Sequence, residues 1–298
     1  MVDFGAEESF ARAAQSMQEH YGLDVSVGRV RRHSLVHGAQ LSALKVPPPK
    51  DRADTVVTQL DGSMIPIVEV GAPSADQRKG KELHWQEVRL CLAREKESVT
   101  AVYGATLGSA GLAGELWRQT AQAAGTGSKT KVHGVGDGAG WITTQFREQF
   151  GGQGIYLLDF WHVSECLAGA ATIIQPSKAV EWRHRQQGRL LENKGDKVLR
   201  ALALHVEPED QKEAPVRTAH RHLSERTDQL DYAGARAAGL PIGSGQVEGG
   251  HRHVIQERLK LTGCWWKQPN AEAMLGLRVA RANRLWDSYW KRPLFQLN

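Results

Sequence analysis

The first forty residues alternate between hydrophobic and polar positions with the period of an α-helix. In EESFARAAQSMQEHYG, the hydrophobic positions from Phe10 to Met17 recur at spacings of three and four residues, which predicts a one-faced helix. Gly22 is a suitable C-cap for this helix, and Ser26 is a suitable N-cap for the next one. Residues 7–40 are therefore predicted to form two short helices.

The second of these helices carries basic side chains in its first two turns. They are Arg29, Arg31, Arg32 and His33. Helix, tight turn and basic helix is the outline of a helix-turn-helix, whose second helix enters the DNA major groove. A plain helical hairpin with a solvated basic face has the same outline. We predict a helix-turn-helix DNA-binding segment at 1–45, in which Arg29, Arg31 and Arg32 contact DNA.

The pattern changes to strands after a polyproline-like spacer, VPPPKD, which indicates a linker at 46–54. The hydrophobic runs TVVTQL and MIPIVEV on either side of Asp61 predict a hairpin pair, with Asp61 at the end of its first strand. Over residues 55–163, the predicted order of elements is β-β-β-α-β-α-β. This order is typical of a mixed sheet covered by helices, an α/β arrangement.

A charged helical block, interrupted by prolines, follows at 164–240 and reads as an all-helical insertion. Residues 241–298 return to organised helix, with Ser244 as a plausible N-cap and Gly263 as the end of the first helix. The residues predicted to share one face of that helix are Glu248, Arg252, Ile255 and Leu259. A second helix, AEAMLGLRVARANRLWDSYW, is predicted to close the chain.

Composition, cysteine content and net charge limit the classes of protein to which the chain can belong. The chain has 298 residues, 41% hydrophobic and 24% charged, which is globular, and it contains neither a signal peptide nor a run of roughly 20 apolar residues. Three widely separated cysteines, Cys91, Cys166 and Cys264, favour reduced thiols in a cytoplasmic protein over a disulfide frame or a CxxC zinc site. A net charge of +5 favours a polyanionic partner.

Acidic residues stand at comparable places in several predicted elements. Asp61, Asp137 and Asp159 are placed at strand ends, and Glu248 lies near the start of a helix. Taken singly, an aspartate before glycine is typical of a turn, and a first-turn glutamate complements the helix dipole. Taken together, strand-end aspartates and a helical glutamate are how an RNase H-like sheet gathers carboxylates around two divalent cations.

The residue types indicate the metal. Mg²⁺ takes oxygen ligands, and two ions about 3.5–4 Å apart can activate the attacking oxygen and stabilise the leaving oxygen of a phosphoryl displacement. Histidine- and cysteine-rich sites suit zinc instead. His251 and His253 are alternate residues of a helix, so they point apart, and we interpret them as DNA-facing or surface groups.

The motifs also resemble a known family. Four segments together resemble the DDE transposases of bacterial insertion sequences, in the Kra-type group related to Mutator-like transposases. They are the Asp61-Gly62 pair, GDGAGWI, LLDFWHVSECL and GLPIGSGQVEGGHRHVIQERLKLTGCWW. The resemblance runs from about Thr55 to Trp290. It implies that Asp61, Asp137 and Glu248 are the catalytic triad and that the residues between Asp137 and Glu248 include the family's insertion domain.

The resemblance also implies a second motif. Asp159 and His162 match the D-x-x-H motif of the superfamily. Asp159 is thus a further metal-ligand candidate and the substitute for Asp137. His162 is expected to orient a carboxylate or phosphate without binding metal, and a histidine that only packs beside Trp161 is the alternative. Apart from the resemblance, the basic side chains around the Glu248 helix are expected to hold DNA phosphates beside the metals. They are Arg252, Arg258, Lys260 and Lys267.

The predicted function is therefore a DDE transposase with two Mg²⁺ or Mn²⁺ ions. It would act as a homo-oligomer on the double-stranded terminal repeats of its element and on target DNA, near the bacterial nucleoid and away from membranes. It would cleave DNA at the element ends and join the freed 3′-hydroxyl to the target. A structure-specific nuclease or resolvase of the same fold, and a non-catalytic helix-turn-helix regulator, are the alternatives.

Overall fold

A five-stranded mixed sheet lies at the centre of the described chain, which comprises residues 1–49, 51–71 and 80–291 of this computed structural model. The strands are β1 (Thr55–Val70), β2 (Lys81–Glu95), β3 (Val102–Thr106), β4 (Lys131–Gly136) and β5 (Gly154–Leu158). Their order is β3-β2-β1-β4-β5, and β1 pairs antiparallel with β2 and parallel with β4. The mixed α/β architecture is confirmed, and the strands and helices follow one another in the order β-β-β-α-β-α-β from Thr55 to Leu158.

Helices precede, interrupt and follow the sheet. They are α1 (Val2–Glu7), α2 (Phe10–Tyr21), α3 (Val27–Ser42), α4 (Ala110–Ala123), α5 (Gly140–Phe150), α6 (Phe160–Ile174), α7 (Ala179–Leu191), α8 (Gly195–Ala203), α9 (Pro215–Ser224), α10 (Tyr232–Ala237), α11 (Gly245–Gly250), α12 (Glu257–Leu259), α13 (Gln268–Ala282) and α14 (Trp286–Trp290). A π-helical segment (His251–Gln256) joins α11 to α12. Among the described residues, no helix is long and apolar enough to cross a membrane. Lys50 of the predicted linker and residues 72–79 and 292–298 of the predicted core lie outside the described residues.

The predicted hairpin at Asp61 is wrong, because β1 runs unbroken through it. Asp61 pairs with Leu90, and the antiparallel ladder continues to Val70 opposite Lys81. The local turn preference of the Asp-Gly pair is outweighed by this long pairing with β2, as tertiary context often outweighs the weak strand propensity of single residues. Asp61 therefore projects from the middle of a strand and not from a turn.

The N-terminal helices are part of the sheet's own core. The two predicted helices and their caps are confirmed: Gly22 ends α2 at a φ of 66°, and the Ser26 hydroxyl accepts a hydrogen bond from the Arg29 amide. Helix α3 crosses α13 so closely that a Cβ on Gly38 would lie 2.1 Å from the Ala273 carbonyl oxygen. The segment at 1–45 therefore packs directly on the C-terminal helices.

The helical character predicted for 164–240 is confirmed. Helices α6 to α10 enclose a second hydrophobic core that contains Trp182, Leu202 and Tyr232. This core continues onto the edge strand β5 through Leu157 and Leu158. The helical region therefore packs beside the end of β5, from which α6 begins.

The helix that carries Glu248 does not keep the predicted face. Arg252 is exposed whereas Ile255 and Leu259 are buried, and the helix ends at Leu259, before Gly263. The π-helical segment changes the register, and π-helical turns of this kind are frequent at functional sites. Arg278 of α13 donates hydrogen bonds to the carbonyl oxygens of two residues in this segment. The last predicted helix is also divided, because the chain turns between α13 and α14.

Candidate active site

A cavity of about 310 Å³ opens where β1, β4 and β5 meet α6 and α11. The acidic and histidine side chains predicted from the sequence all line it: Asp61, Asp137, Asp159, His162 and Glu248. Glu165 of α6 lines it as well and was not predicted. Residues from five separate elements of the chain therefore converge on one cavity.

The strand register places the three aspartates at the same level of the sheet. Thr58 of β1 pairs with Gly134 of β4, so three more residues along both parallel strands reach Asp61 and Asp137. Gly136 of β4 pairs with Leu158 of β5, so one more residue reaches Asp137 and Asp159. The carboxyl ends of β4 and β5 thus present their acids beside Asp61, which β1 carries past its last pairing with β4.

Glu248 is positioned by a buried glutamine on β1. The Gln59 Oε1 atom accepts a hydrogen bond of 2.9 Å from the Val247 amide, and Gln59 Nε2 donates one of 3.3 Å to the Gly243 carbonyl oxygen. Gln59 is 1% exposed. A buried amide side chain must find such partners, so this polar residue within a hydrophobic run fixes the start of α11 against the sheet.

Asp159 connects the same segment to α6. Its Oδ1 atom accepts hydrogen bonds from the amides of Trp161 at 2.6 Å and His162 at 3.1 Å, which caps α6. Its Oδ2 atom accepts from the Ser244 amide at 2.6 Å and from the Ser244 hydroxyl. Ser244, predicted to cap its own helix, therefore binds Asp159 instead. Both carboxylate oxygens of Asp159 are engaged by protein donors.

The other three carboxylates retain oxygens for a ligand. Asp61 and Asp137 each use Oδ1 to accept one backbone amide hydrogen bond of 2.8 Å, from Gly62 and Ala139 respectively. In the described part of the chain, the exposed Glu248 carboxylate has no hydrogen-bond or ion-pair partner. The three side chains share the cavity, but their oxygens do not all lie within 4.8 Å of one another in the described structure.

His251 faces Asp61, which corrects its predicted place on the surface. The ring is 3% exposed, and its Nε2 atom lies 3.3 Å from Asp61 Oδ2. Neither ring nitrogen has a well-aligned hydrogen-bond partner among the described residues. His251 follows Glu248 by three residues, a spacing that places both on one side of a helix, and this spacing is the sequence signal that could have found it.

The loop after Asp137 is held by two residues that the sequence did not single out. The Gly138 amide donates a hydrogen bond of 3.4 Å to Tyr156 Oη, and Arg226 Nε donates one of 2.9 Å to the Gly138 carbonyl oxygen. Burial, with Asp137 and Asp159 nearby, raises the pKa of Tyr156, so its phenol stays neutral. Arg226 thus links the helical region to the loop that carries Asp137.

The predicted DNA-binding side chains divide into exposed and buried groups. Arg29, Arg31 and Arg32 are exposed on α3, and Arg252 and Lys267 are exposed near α11 and α13. The Lys260 ammonium donates a hydrogen bond of 3.0 Å to the Ser63 hydroxyl, two residues beyond Asp61 on β1. These six side chains are accessible to a polyanion or lie close to the cavity.

Arg258 is not accessible, so its predicted contact with a phosphate is wrong. It is 1% exposed, and its guanidinium lies 4.7 Å from the Phe10 ring centre and 4.9 Å from that of Trp266. Its Nε atom donates a hydrogen bond of 3.0 Å to the Gly5 carbonyl oxygen. Burial lowers the pKa of Arg258 to about 10. This arginine fastens α1 and α2 to the C-terminal part of the chain.

Comparison with known proteins yields distant similarities to solved structures. No family model and no curated protein matches the sequence. The chain is similar to the Drosophila P element transposase strand transfer complex, with 10% identity, a TM-score of 0.29, and coverage of 95% of this chain and 80% of that one. At this level of similarity, the chemistry of the chain has to be inferred from its own site.

Proposed function

We propose that this protein is a DNA transposase of the DDE type, with an RNase H-like sheet and a metal-dependent site formed by Asp61, Asp137 and Glu248. It would cleave the ends of its element and join the freed 3′-hydroxyl to target DNA in the bacterial cytoplasm. The observation that carries the proposal is the convergence of these three carboxylates, far apart in sequence, on one cavity. The motif resemblance described above supplies the type of reaction.

The donor set fits divalent magnesium or manganese. All three ligands offer carboxylate oxygens, which Mg²⁺ and Mn²⁺ prefer. Each retains an oxygen that accepts no hydrogen bond from the described residues, and that of Asp61 has His251 Nε2 as a neighbour at 3.3 Å. A pair of ions needs ligands spread over a wider area than a single ion, and the oxygens of these acids do not all lie within 4.8 Å of one another. Bound Mg²⁺ would lower the pKa of the attacking oxygen and neutralise charge on the leaving oxygen.

The surrounding residues hold these acids in place. Gln59 and Asp159 fix the segment that leads into Glu248, and His251 lies against Asp61. Because Asp159 is fully engaged by hydrogen bonds, we assign it a positioning role and not that of a metal ligand. DNA would approach along the exposed basic side chains of Arg252 and Lys267.

The proposal is tested with DNA fragments that carry the terminal repeats on either side of the protein's own gene. Wild-type protein is expected to cut them only with Mg²⁺ or Mn²⁺ and to leave a 3′-hydroxyl that joins a target plasmid. Asp61→Asn, Asp137→Asn and Glu248→Gln should each abolish cleavage while DNA binding persists. Glu181→Gln, an exposed acid on α7, is the matched control and should cleave normally.

The outcomes separate the three functions considered for the chain. Cleavage without joining would indicate a structure-specific nuclease, and metal-independent binding without cleavage would indicate a regulator. Cleavage that survives all three substitutions would overturn the assignment of the site itself.

A further inference from the structure

A second group of potential ligands lies beside the carboxylate cavity and has a different chemistry. His162 and Cys166 lie four residues apart on α6, and His222 lies in the last turn of α9. One ligand atom from each of these residues lies within 4.8 Å of the other two. In the part of the chain that the structure describes, this is the one group of three or more such residues that meets this spacing.

The spacing is close to that of a metal site. Zinc bonds of about 2.0–2.1 Å to nitrogen and 2.3 Å to sulfur, at tetrahedral angles, place two nitrogens and one sulfur roughly 3.3–3.6 Å apart. The three ligand atoms all lie within 4.8 Å of one another, so small side-chain rotations would bring them to the distances of a zinc site. The side chains of His162 and Cys166 are on the same face of α6, since residues four apart on a helix are neighbours.

A buried ring nitrogen of His222 gives independent support for a ligand at this position. Its Nε2 atom is buried and has no hydrogen-bond partner among the described residues. The His162 ring meets the His222 ring edge to face, with centroids 5.3 Å apart, which offers no hydrogen bond to that nitrogen. A buried ring nitrogen without a partner is costly, and a metal ion would supply one.

We propose that His162, Cys166 and His222 bind a transition-metal ion, Zn²⁺ by preference, that holds two helices of the helical region together. Two imidazoles and one thiolate suit Zn²⁺, Co²⁺ and related ions and are poor ligands for Mg²⁺. The ion would join α9 to α6, the helix that Asp159 caps. His162 would thus have a ligand role, contrary to the sequence-based expectation that it orients a phosphate without binding metal.

The site is distinct from the carboxylate site, although His162 also lines that cavity. The effect of the bound ion would be structural. Arg226, four residues after His222, donates a hydrogen bond to the Gly138 carbonyl oxygen, so the position of α9 bears on the loop that carries Asp137. An ion that fixes α9 to α6 would hold this loop in place.

The test uses full-length protein freed of metal with a chelator under reducing conditions and titrated with Co²⁺. A thiolate-to-cobalt charge-transfer band and the visible bands of tetrahedral Co²⁺ are expected at one equivalent. Added Zn²⁺ should remove them, and added Mg²⁺ should not. Zn²⁺ should also raise the unfolding temperature of the metal-free protein, since a ligand that binds only the folded state stabilises it.

Matched variants identify the ligands. Cys166→Ser should lose the thiolate band, and His222→Gln should lose the tetrahedral spectrum, whereas Cys264→Ser and His220→Gln should keep both. His222→Cys keeps a ligand at that position and should restore Co²⁺ binding with a stronger thiolate band. Asp61→Asn should leave the cobalt spectrum unchanged, because the carboxylate site is separate.

Three outcomes would overturn the proposal. They are a cobalt spectrum without thiolate bands in folded wild-type protein, a spectrum that Cys166→Ser leaves unchanged, and equal competition by Mg²⁺. Circular dichroism of each variant establishes that it is folded. Because none of these readouts depends on DNA cleavage, the proposal is tested separately from the transposase function.

Discussion

The Nε2 atom of His251 lies 3.3 Å from Oδ2 of Asp61, inside the protein and one helical turn after Glu248. The contact joins the middle of β1 to the π-helical segment. A ring nitrogen that contacts a ligating carboxylate restricts its orientation and supports metal binding. His251 therefore connects two of the three proposed metal ligands. It contacts Asp61, and it follows Glu248 by one turn along the same helix.

His251→Gln is expected to lower metal-dependent DNA cleavage by about 10- to 100-fold, as is usual when the partner of a metal ligand is removed. DNA binding and folding should be unaffected, and higher Mn²⁺ concentration should recover part of the loss. Cleavage rates measured across a Mn²⁺ titration check this. His253→Gln, an exposed neighbour, is the control, and an unchanged titration for His251→Gln would leave the contact without a role.

Asp159→Asn is expected to destabilise the protein by roughly 2 to 4 kcal/mol, because it weakens buried hydrogen bonds made to a charged group. Asp137→Asn should instead leave the metal-free protein as stable as before or stabilise it, since removing one of several clustered like charges relieves repulsion. Thermal unfolding without metal distinguishes a positioning residue from a metal ligand. Equal effects of the two substitutions would contradict the distinction.

Asp159→Asn and Ser244→Ala should be strongly non-additive in stability. The two side chains hydrogen-bond to each other, so residues in direct contact are expected to show an interaction energy of roughly 0.5 to 3 kcal/mol in a double-mutant cycle. Denaturant unfolding of the wild type, both single variants and the double variant gives this energy. Simple additivity would mean that the contact between α6 and the segment before α11 contributes little.

Arg258→Gln is expected to lower stability by roughly 2 to 4 kcal/mol, because it removes a hydrogen bond to a charged donor and contacts with two aromatic rings. The salt dependence of DNA binding should not change. Arg252→Gln and Lys267→Gln should leave the stability of the protein unchanged and alter DNA binding instead. The slope of log affinity against log salt concentration should fall by about one for each phosphate that the variant no longer binds. A lower slope for Arg258→Gln would restore it as a DNA-binding residue.

Acid should weaken the fold through His133. Burial lowers the pKa of His133, whose Nε2 donates a hydrogen bond of 2.8 Å to the Pro241 carbonyl oxygen. The unfolded chain takes up a proton here below about pH 6.5, whereas the folded chain does so only at lower pH, so stability falls as pH drops below that value. Unfolding free energies at pH 7.5 and 5.5 should differ less for His133→Gln than for wild type. An equal difference in both proteins would mean that His133 does not contribute.

The sequence predicts the class of fold because its signals are local. Caps such as Gly22 and Ser26, the period of α2 and the alternation of strands and helices all act within a few residues, and the structure agrees with them. Asp61 was misplaced for the same reason. The Asp-Gly pair favours a turn locally, and only pairing with β2, a distant segment, keeps it extended.

The missed parts of the site depend on contacts that no local pattern contains. Gln59 is a polar residue in a hydrophobic run, and its purpose becomes visible only when the α11 segment lies over it. His251 is predicted at the surface from its alternation with His253, and Arg258 is predicted to contact DNA from its place on the Glu248 helix, but the π-helical segment changes the register of that helix. Their burial follows from packing against Asp61 and Phe10, which lie some two hundred residues earlier.

The tight crossing of α3 and α13 bears on the distance between the DNA sequence that the protein would recognise and the position at which it would cut. A Cβ on Gly276 would lie 2.5 Å from the Gly38 carbonyl oxygen, so the backbones touch and α3 cannot swing as a tethered arm would. In the proposed transposase, the helix that carries Arg29, Arg31 and Arg32 and the sheet that carries the carboxylates belong to one packed body. The fixed distance between them would then determine the number of base pairs between the DNA sequence that the protein recognises and the position at which it cuts the DNA.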